Sequence, residues 1–221
     1  MTPADLSRTE ILSYLHTPEL TPGLSALLDE SIAEMCDAVL PRTIWRQLPV
    51  QHTEAGVTVG GMLLHGDDIA LHLSGCSDAV LMAATLSAGA DTLIRRAERA
   101  DMTKALMLDA VAGAAIEFVC NQLEQQLRAA LPYPYFTERF SPGYGDLPIA
   151  QQADVIALLD APRKIGLTVT PHSTMLPMKS VTAVIGLSHQ PVKDARRFCC
   201  GQSCAECPYH DGCAHAVQPD A

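Results

Sequence analysis

A short polar turn in the second half of the chain combines a cation, a phenol and a glycine. Arg139, Ser141, Gly143 and Tyr144 lie within six residues of one another. A guanidinium binds a carboxylate through two parallel hydrogen bonds, and an aromatic ring offers its face to a cation. Glycine lets the main chain approach a ligand closely. The turn therefore predicts a site for a small molecule with a carboxylate and a fixed positive charge, such as S-adenosylmethionine. The same residues are also typical of an ordinary type II turn.

A second group with chemical potential is a cluster of cysteines in residues 193–221, which hold five of the eight cysteines. Cys200, Cys204, Cys207 and Cys213 have the short spacing with which thiolates converge on one metal. Four sulfur ligands suit either a four-iron cluster or a tetrahedral zinc ion. We predict a metal-binding tail, with an iron–sulfur cluster, structural zinc and free thiols as the three alternatives.

The polar turn also carries the residues of a family signature. Arg139, Gly143 and Tyr144 match the Arg-x-x-x-Gly-Tyr signature of the reactivation domain of cobalamin-dependent methionine synthase. A second signature of that family, a Ser-Val-rich strand followed by Ser-His-Pro, is similar to residues 180–183 and 188–191. Over roughly residues 75 to 192 the chain thus resembles this activation domain.

The resemblance implies a function in the repair of an oxidised cobalamin enzyme. S-adenosylmethionine would donate the methyl group and a separate electron donor one electron, so that cob(II)alamin becomes methylcobalamin. The chain shows neither a substrate barrel nor a cobalamin-ligating signature, so we expect a free-standing activation subunit. Its partner would be a cobalamin-dependent methionine synthase that lacks its own activation domain, or another corrinoid protein. Where the family has aromatic residues after its Ser-Val motif, residues 184–187 read Val-Ile-Gly-Leu.

Three further residues are candidate ligand contacts under this resemblance. Glu117, eight residues after Asp109 on a predicted helix, would hold an ammonium or balance a sulfonium. Lys179 would meet a corrinoid phosphate or propionamide, or the ligand carboxylate, and Ser180 lies beside it. Glu117 and Lys179 are also typical of plain surface residues, and we assign no residue a role as catalytic acid, base or nucleophile.

The composition argues against two classes of partner. The formal net charge is −10, with only 15 lysines and arginines and no basic cluster, so nucleic-acid phosphates would be repelled. No apolar run reaches the length of a membrane span, and the N-terminus does not resemble a secretory signal. We expect a cytoplasmic protein with neither a nucleic-acid nor a membrane partner.

The periodicity of apolar residues predicts an α+β fold in which long helices pack with an antiparallel, meander-like sheet. Helices are predicted over 3–16, 21–41, 77–99, 102–130 and 149–159, and strands over 166–170 and 180–187. Between 43 and 73, short extended runs separated by turns at 54–56, 60–61 and 66–68 predict the meander. On the long helix over 102–130, Leu106, Ala110, Ala114, Phe118 and Leu123 are expected to face the core, and Gly113 to allow close packing or ligand access.

The predicted organisation is one activation-like domain over 1–192 followed by the tail at 193–221. Residues 1–74 would form the N-terminal helices and meander, and 75–192 the region of resemblance. Two functions remain open. In the first, the chain works as a component of a methyltransferase system. In the second, it is a metal-stabilised adaptor that docks on a corrinoid protein without methyl transfer of its own.

Overall fold

The computed structural model describes residues 1–192, and its secondary structure confirms the α+β class. The α-helices are α1 (Arg8–Tyr14), α2 (Pro22–Ala38), α3 (Asp67–His72), α4 (Ala88–Glu98), α5 (Met102–Ala130), α6 (Gln152–Leu159) and α7 (Ala161–Ile165). The strands are β1 (Arg42–Thr53), β2 (Gly56–Val59), β3 (Met62–Leu64), β4 (Asp78–Thr85), β5 (Tyr135–Phe136), β6 (Thr168–Val169), β7 (Met175–Leu176) and β8 (Ser180–Ser188). Among these residues, no helix is both long and apolar enough to cross a membrane.

The main sheet is antiparallel and has six strands in the order β3-β2-β1-β4-β8-β5. Strands β1, β2 and β3 are consecutive in the chain and neighbours in the sheet, so the predicted meander is confirmed for these three strands. Val50 pairs with Val59, and Val57 with Leu64, which places the two connecting turns at 54–55 and 60–61. Strands β6 and β7 form a separate hairpin.

The described chain divides into two compact units that alternate along the sequence. The first unit comprises Met1–Thr43, Ala84–Gln126 and Ala161–Val181, and the second comprises Ile44–Ala83, Leu127–Asp160 and the described residues from Thr182 onward. The first unit is mainly helical and contains α2, α4 and most of α5. The second unit holds most of the six-stranded sheet together with α3 and α6.

Helix α2 of the first unit begins at a capping threonine and is joined to α5 by ion pairs. The hydroxyl of Thr21 accepts a hydrogen bond from the N–H of Leu24, and Pro22 occupies the first helical position, so α2 begins as predicted. Lys104 Nζ on α5 lies 2.8 Å from a carboxylate oxygen of both Glu30 and Glu34 on α2. These ion pairs join the two longest helices of the unit.

Four sequence predictions needed correction. The segment 77–99 is not one helix but β4 followed by α4, because its first half is a continuous apolar run. Such a run suits a central strand buried on both faces as well as it suits a helix. The predicted turn at 66–68 is the start of α3. The predicted helix at 3–16 is a 3-10 turn followed by α1. Leu106, expected in the core, is 58% exposed.

Gly89 in α4 and Gly23 in α2 differ in the space that surrounds them. A Cβ on Gly89, in the first turn of α4, would overlap the carbonyl oxygen of Ala38, whereas a Cβ on Gly23 of α2 would meet no atom within 4 Å. We expect Gly89→Ala to lower the free energy of unfolding by about 2 kcal/mol or more, because backbone must move to admit the methyl group. Urea denaturation measures the effect, with Gly23→Ala as the matched control. Equal stability of the two variants would contradict this packing.

Candidate functional site

The loop that follows β5 in the second unit contains the predicted Arg-x-x-x-Gly-Tyr residues. Phe140 attaches it to β8: its N–H donates to the carbonyl of Val184 at 2.9 Å, and its carbonyl accepts from the N–H of Val184 at 2.8 Å. Phe140 is 3% exposed, whereas its neighbours Arg139 and Ser141 are half-buried. The buried phenyl ring thus fixes the chain at the point from which the arginine side chain leaves.

The turn itself is closed by three backbone hydrogen bonds. Tyr144 N–H donates to the carbonyl of Ser141 at 2.9 Å, Leu147 N–H to that of Tyr144 at 3.0 Å, and Gly143 N–H to that of Leu147 at 2.9 Å. Gly143 has φ +95° and Gly145 has φ +51°, a region that other residues rarely adopt. The path of the loop therefore depends on both glycines.

Tyr144 presents its ring at the surface of this turn. The side chain is 37% exposed, and its ring meets that of Phe140 edge-on at 6.2 Å between centroids. Aromatic pairs favour this geometry. The ring of Phe140 thus supports the phenol ring of Tyr144, part of which remains accessible. Gly143, beside it, is exposed. The loop thus offers an aromatic surface next to exposed backbone.

The C-terminal end of the loop is held by the N-terminus of α3. One oxygen of the Asp146 carboxylate accepts from the N–H of Asp67 at 2.6 Å, and the other accepts from the N–H of Asp68 at 3.1 Å. Gly66 precedes the helix and has no side chain with which to cap it. Asp146 supplies this cap from a distant part of the sequence and so satisfies two otherwise unpaired helix donors.

The N-terminal end of the loop meets the other end of α3. His72 is 4% exposed, and its Nε2 lies 2.7 Å from Thr137 Oγ1 and 3.0 Å from the carbonyl oxygen of Glu138. Thr137 Oγ1 also accepts from the N–H of Gly186 at 2.7 Å. The imidazole ring packs against Phe140 at 4.9 Å. Burial lowers the pKa of His72 to about 4, since the charged form cannot be solvated there.

Comparisons with known proteins agree with this fold. Residues 62–206 match the family model described as "Vitamin B12 dependent methionine synthase, activation domain". The chain belongs to this family. A crystal structure of the MetH reactivation domain bound to AdoHcy superposes with a TM-score of 0.68 at 14% identity, covering 88% of this chain and 79% of that one. No curated protein matches the sequence.

The second part of the other signature, residues 188–191, also lies in the second unit, at the end of β8. Ser188 Oγ donates to the carbonyl of Gly75 at 2.9 Å and accepts from the N–H of Gln190 at 3.0 Å. The ring of His189 stacks on that of Tyr133, with 4.7 Å between centroids. These contacts fix the end of the strand, and residues 184–187 before it are all buried.

The remaining predicted ligand contacts belong to the first unit. Lys179 Nζ lies 2.9 Å from Asp109 Oδ1, and its side chain is only 21% exposed. Ser180 is buried, with its Oγ 2.8 Å from Thr85 Oγ1 and 2.7 Å from the carbonyl oxygen of Pro177. Glu117 is half-buried on α5. The structure thus places Arg139, Ser141, Gly143 and Tyr144 together in one loop, and these three residues in the other unit.

The predicted metal ligands Cys200, Cys204, Cys207 and Cys213 lie outside the described residues. Within residues 1–192, no group of three or more His, Cys, Asp or Glu side chains is arranged to hold a metal ion. The cysteines at 76 and 120 are buried and Cys36 is half-buried. Burial raises the pKa of Cys76 to about 11, so this thiol is protonated at neutral pH.

The sequence analysis missed the residues that hold the loop, namely His72, Thr137 and Asp146. A signal for α3 was available, because Asp67 and Asp68 stand immediately before the apolar stretch Ile69 to Leu73, and acidic residues favour the first turn of a helix. Nothing in the sequence connects this helix with a loop about 70 residues later. That connection is made only by the tertiary structure.

The buried imidazole predicts a specific dependence of stability on pH. The folded pKa of His72 is about 4 and the ordinary value is 6.5, so between these values the unfolded chain takes up a proton that the folded chain does not. Above pH 6.5 the histidine does not reduce the free energy of unfolding. As the pH drops towards 4, it reduces the free energy of unfolding by as much as about 3 kcal/mol. His72→Gln lacks this term, so its free energy of unfolding in urea should vary less over that range. The same pH dependence in both proteins would contradict a buried neutral His72.

Proposed function

We propose that this chain binds S-adenosylmethionine at the loop from Arg139 to Tyr144 and supports the reductive methylation of cob(II)alamin on a separate cobalamin-dependent methionine synthase. The observation that carries the proposal is the anchored loop in a member of the activation domain family: its backbone is fixed at both ends, while Gly143 and Tyr144 remain exposed. A rigid loop of this kind loses little conformational entropy on binding.

The roles of the loop residues follow from the chemistry of the ligand. The guanidinium of Arg139 suits the carboxylate of S-adenosylmethionine, with which it can form a charge-assisted pair. The exposed ring of Tyr144 suits the positive sulfonium, and the exposed backbone at Gly143, together with the hydroxyl of Ser141, supplies polar contacts. The family to which the chain belongs supports the choice of this ligand.

The task of this chain in such a reaction is to position the methyl group. When the components are assembled, S-adenosylmethionine would supply the methyl group and leave as S-adenosylhomocysteine, an electron donor would supply the one electron that reduces cob(II)alamin, and the partner's reduced cobalamin would be the nucleophile. No side chain of the activation subunit needs to remove or donate a proton. What the loop must provide is the alignment of the methyl–sulfur bond, a contribution of orientation rather than of acid–base chemistry.

The three candidates in the first unit are proposed as separate contacts. Glu117 is proposed to face the cationic part of the ligand. Lys179 is proposed for an anionic group of the ligand or of the corrinoid, although its ion pair with Asp109 must first be exchanged. Ser180 is the weakest of the three on structural grounds, because its hydroxyl already bonds within its own unit.

We also propose that Cys200, Cys204, Cys207 and Cys213 bind one metal centre, on the strength of their spacing alone. The family match ends at residue 206 and thus covers only the first two of these cysteines. Metal analysis of anaerobically purified protein should find iron with acid-labile sulfide, or zinc. Substituting Cys204 and Cys207 by serine should remove that metal, whereas serine at Cys36 and Cys120 should leave it. Metal-free protein would contradict this proposal.

Isothermal titration calorimetry tests the ligand site. Wild-type protein should bind S-adenosylmethionine saturably, and Arg139→Ala should weaken binding by about 1.5 to 3 kcal/mol, because a charge-assisted hydrogen bond is lost. Arg42→Ala, at an exposed arginine of β1, is the matched control and should bind normally.

Two outcomes would overturn the proposal. If folded wild-type protein does not bind S-adenosylmethionine, the site is absent and an adaptor function without methyl transfer becomes the better account. If Arg139→Ala and Arg42→Ala both bind like the wild type, the ligand lies elsewhere. Methylcobalamin formation with a cobalamin partner, followed by its absorption spectrum, is the corresponding test of activity.

A further inference from the structure

We infer that His72 is a positioning residue for the S-adenosylmethionine loop, acting through the main chain on either side of Arg139. The inference rests on the proposed function and deepens it. His72 does not touch the ligand, but it sets the direction from which the guanidinium of Arg139 reaches the ligand. Neither signature of the family includes this histidine.

The hydrogen bonds of His72 determine which ring nitrogen carries the proton. A carbonyl oxygen can only accept, so the 3.0 Å contact with the carbonyl of Glu138 assigns the proton to Nε2, whose N–H is shared with Thr137 Oγ1 at 2.7 Å. Thr137 Oγ1 accepts from Gly186 and can donate its own proton to the same Glu138 carbonyl, 3.1 Å away. The Glu138 carbonyl is therefore held by two donors, an imidazole and a hydroxyl.

This carbonyl belongs to the peptide unit whose nitrogen is that of Arg139. Because a peptide unit is planar, holding its oxygen also fixes the orientation of the Arg139 N–H and Cα. The imidazole ring packs on Phe140, the next residue, at 4.9 Å. The His72 side chain thus constrains both neighbours of Arg139, so the Cα from which the arginine side chain extends is held in place.

The same helix also fixes the far end of the loop. Asp146 binds the N–H groups of Asp67 and Asp68 at the start of α3, and His72 is the last residue of that helix. The six-residue helix therefore determines the separation of the two loop ends. A donor buried here is costly to leave unsatisfied, so the bond to Glu138 favours this conformation over alternatives.

A pair of substitutions separates positioning from simple packing. His72→Leu fills a similar volume without a donor, and His72→Gln restores an N–H near the position of Nε2. In calorimetry, His72→Leu should bind S-adenosylmethionine roughly 3- to 10-fold more weakly than the wild type, the worth of one hydrogen bond, and His72→Gln should recover most of that loss. His65→Leu, the same change at an exposed histidine of this unit, should bind normally.

Amide hydrogen exchange gives a readout that needs no ligand. The N–H groups of Gly143, Tyr144 and Leu147 close the loop. Their exchange should be faster in His72→Leu than in the wild type and close to normal in His72→Gln and His65→Leu. If the wild type fails to bind S-adenosylmethionine, the proposed function fails, and exchange alone decides whether His72 orders the loop.

Two results would overturn the inference while the proposed function stands. The first is a folded His72→Leu protein with normal affinity and normal exchange, in a series in which Arg139→Ala still weakens binding. The second requires no variant, and so applies even if His72→Leu does not fold: nitrogen-15 spectra of the wild type should show the His72 proton on Nε2. A proton on Nδ1 alone would leave Nε2 unable to donate to Glu138.

Discussion

The candidate site depends on the burial of Phe140. Its backbone forms both hydrogen bonds of a β-bridge with Val184, and its ring contacts both the imidazole of His72 and the ring of Tyr144. Removing a phenyl ring from water contributes about 2 to 3 kcal/mol, which is enough to fix the register of a single-residue bridge. Arg139 and Ser141 then project from either side of a fixed point, and the turn beyond them is closed by its own hydrogen bonds.

Phe140 anchors one residue of the loop, and helix α3 anchors both of its ends. It is too short to be stable by itself, because a helix of six residues has almost no hydrogen bonds of its own. The structure stabilises it from outside, through Asp146 at its first turn and the bonds of His72 at its last residue. The dependence is mutual, since the loop needs the helix for its ends and the helix needs the loop for its cap.

Much of the fold could be predicted from the sequence, but the parts that hold the site could not. The long helix Met102–Ala130 and the start of α2 at Pro22 were predicted because apolar periodicity and capping residues are local signals. The strand Asp78–Thr85 was predicted as helix because residues buried on both faces lose the alternation that marks a strand. The loop residues Arg139, Gly143 and Tyr144 were predicted from their types, and their role as ligand contacts stays a prediction. The hydrogen bonds of His72 and Asp146 that hold them join positions about 70 residues apart, which no local pattern records.

The most direct test of the ligand site is a titration of nitrogen-15-labelled protein with S-adenosylmethionine, followed through amide chemical shifts. The account predicts saturable shifts at Arg139, Gly143, Tyr144 and Gly145, and smaller changes at Phe140, whose N–H stays bonded to Val184. Saturable shifts confined to residues outside this loop, or no shifts in a folded protein, would contradict it.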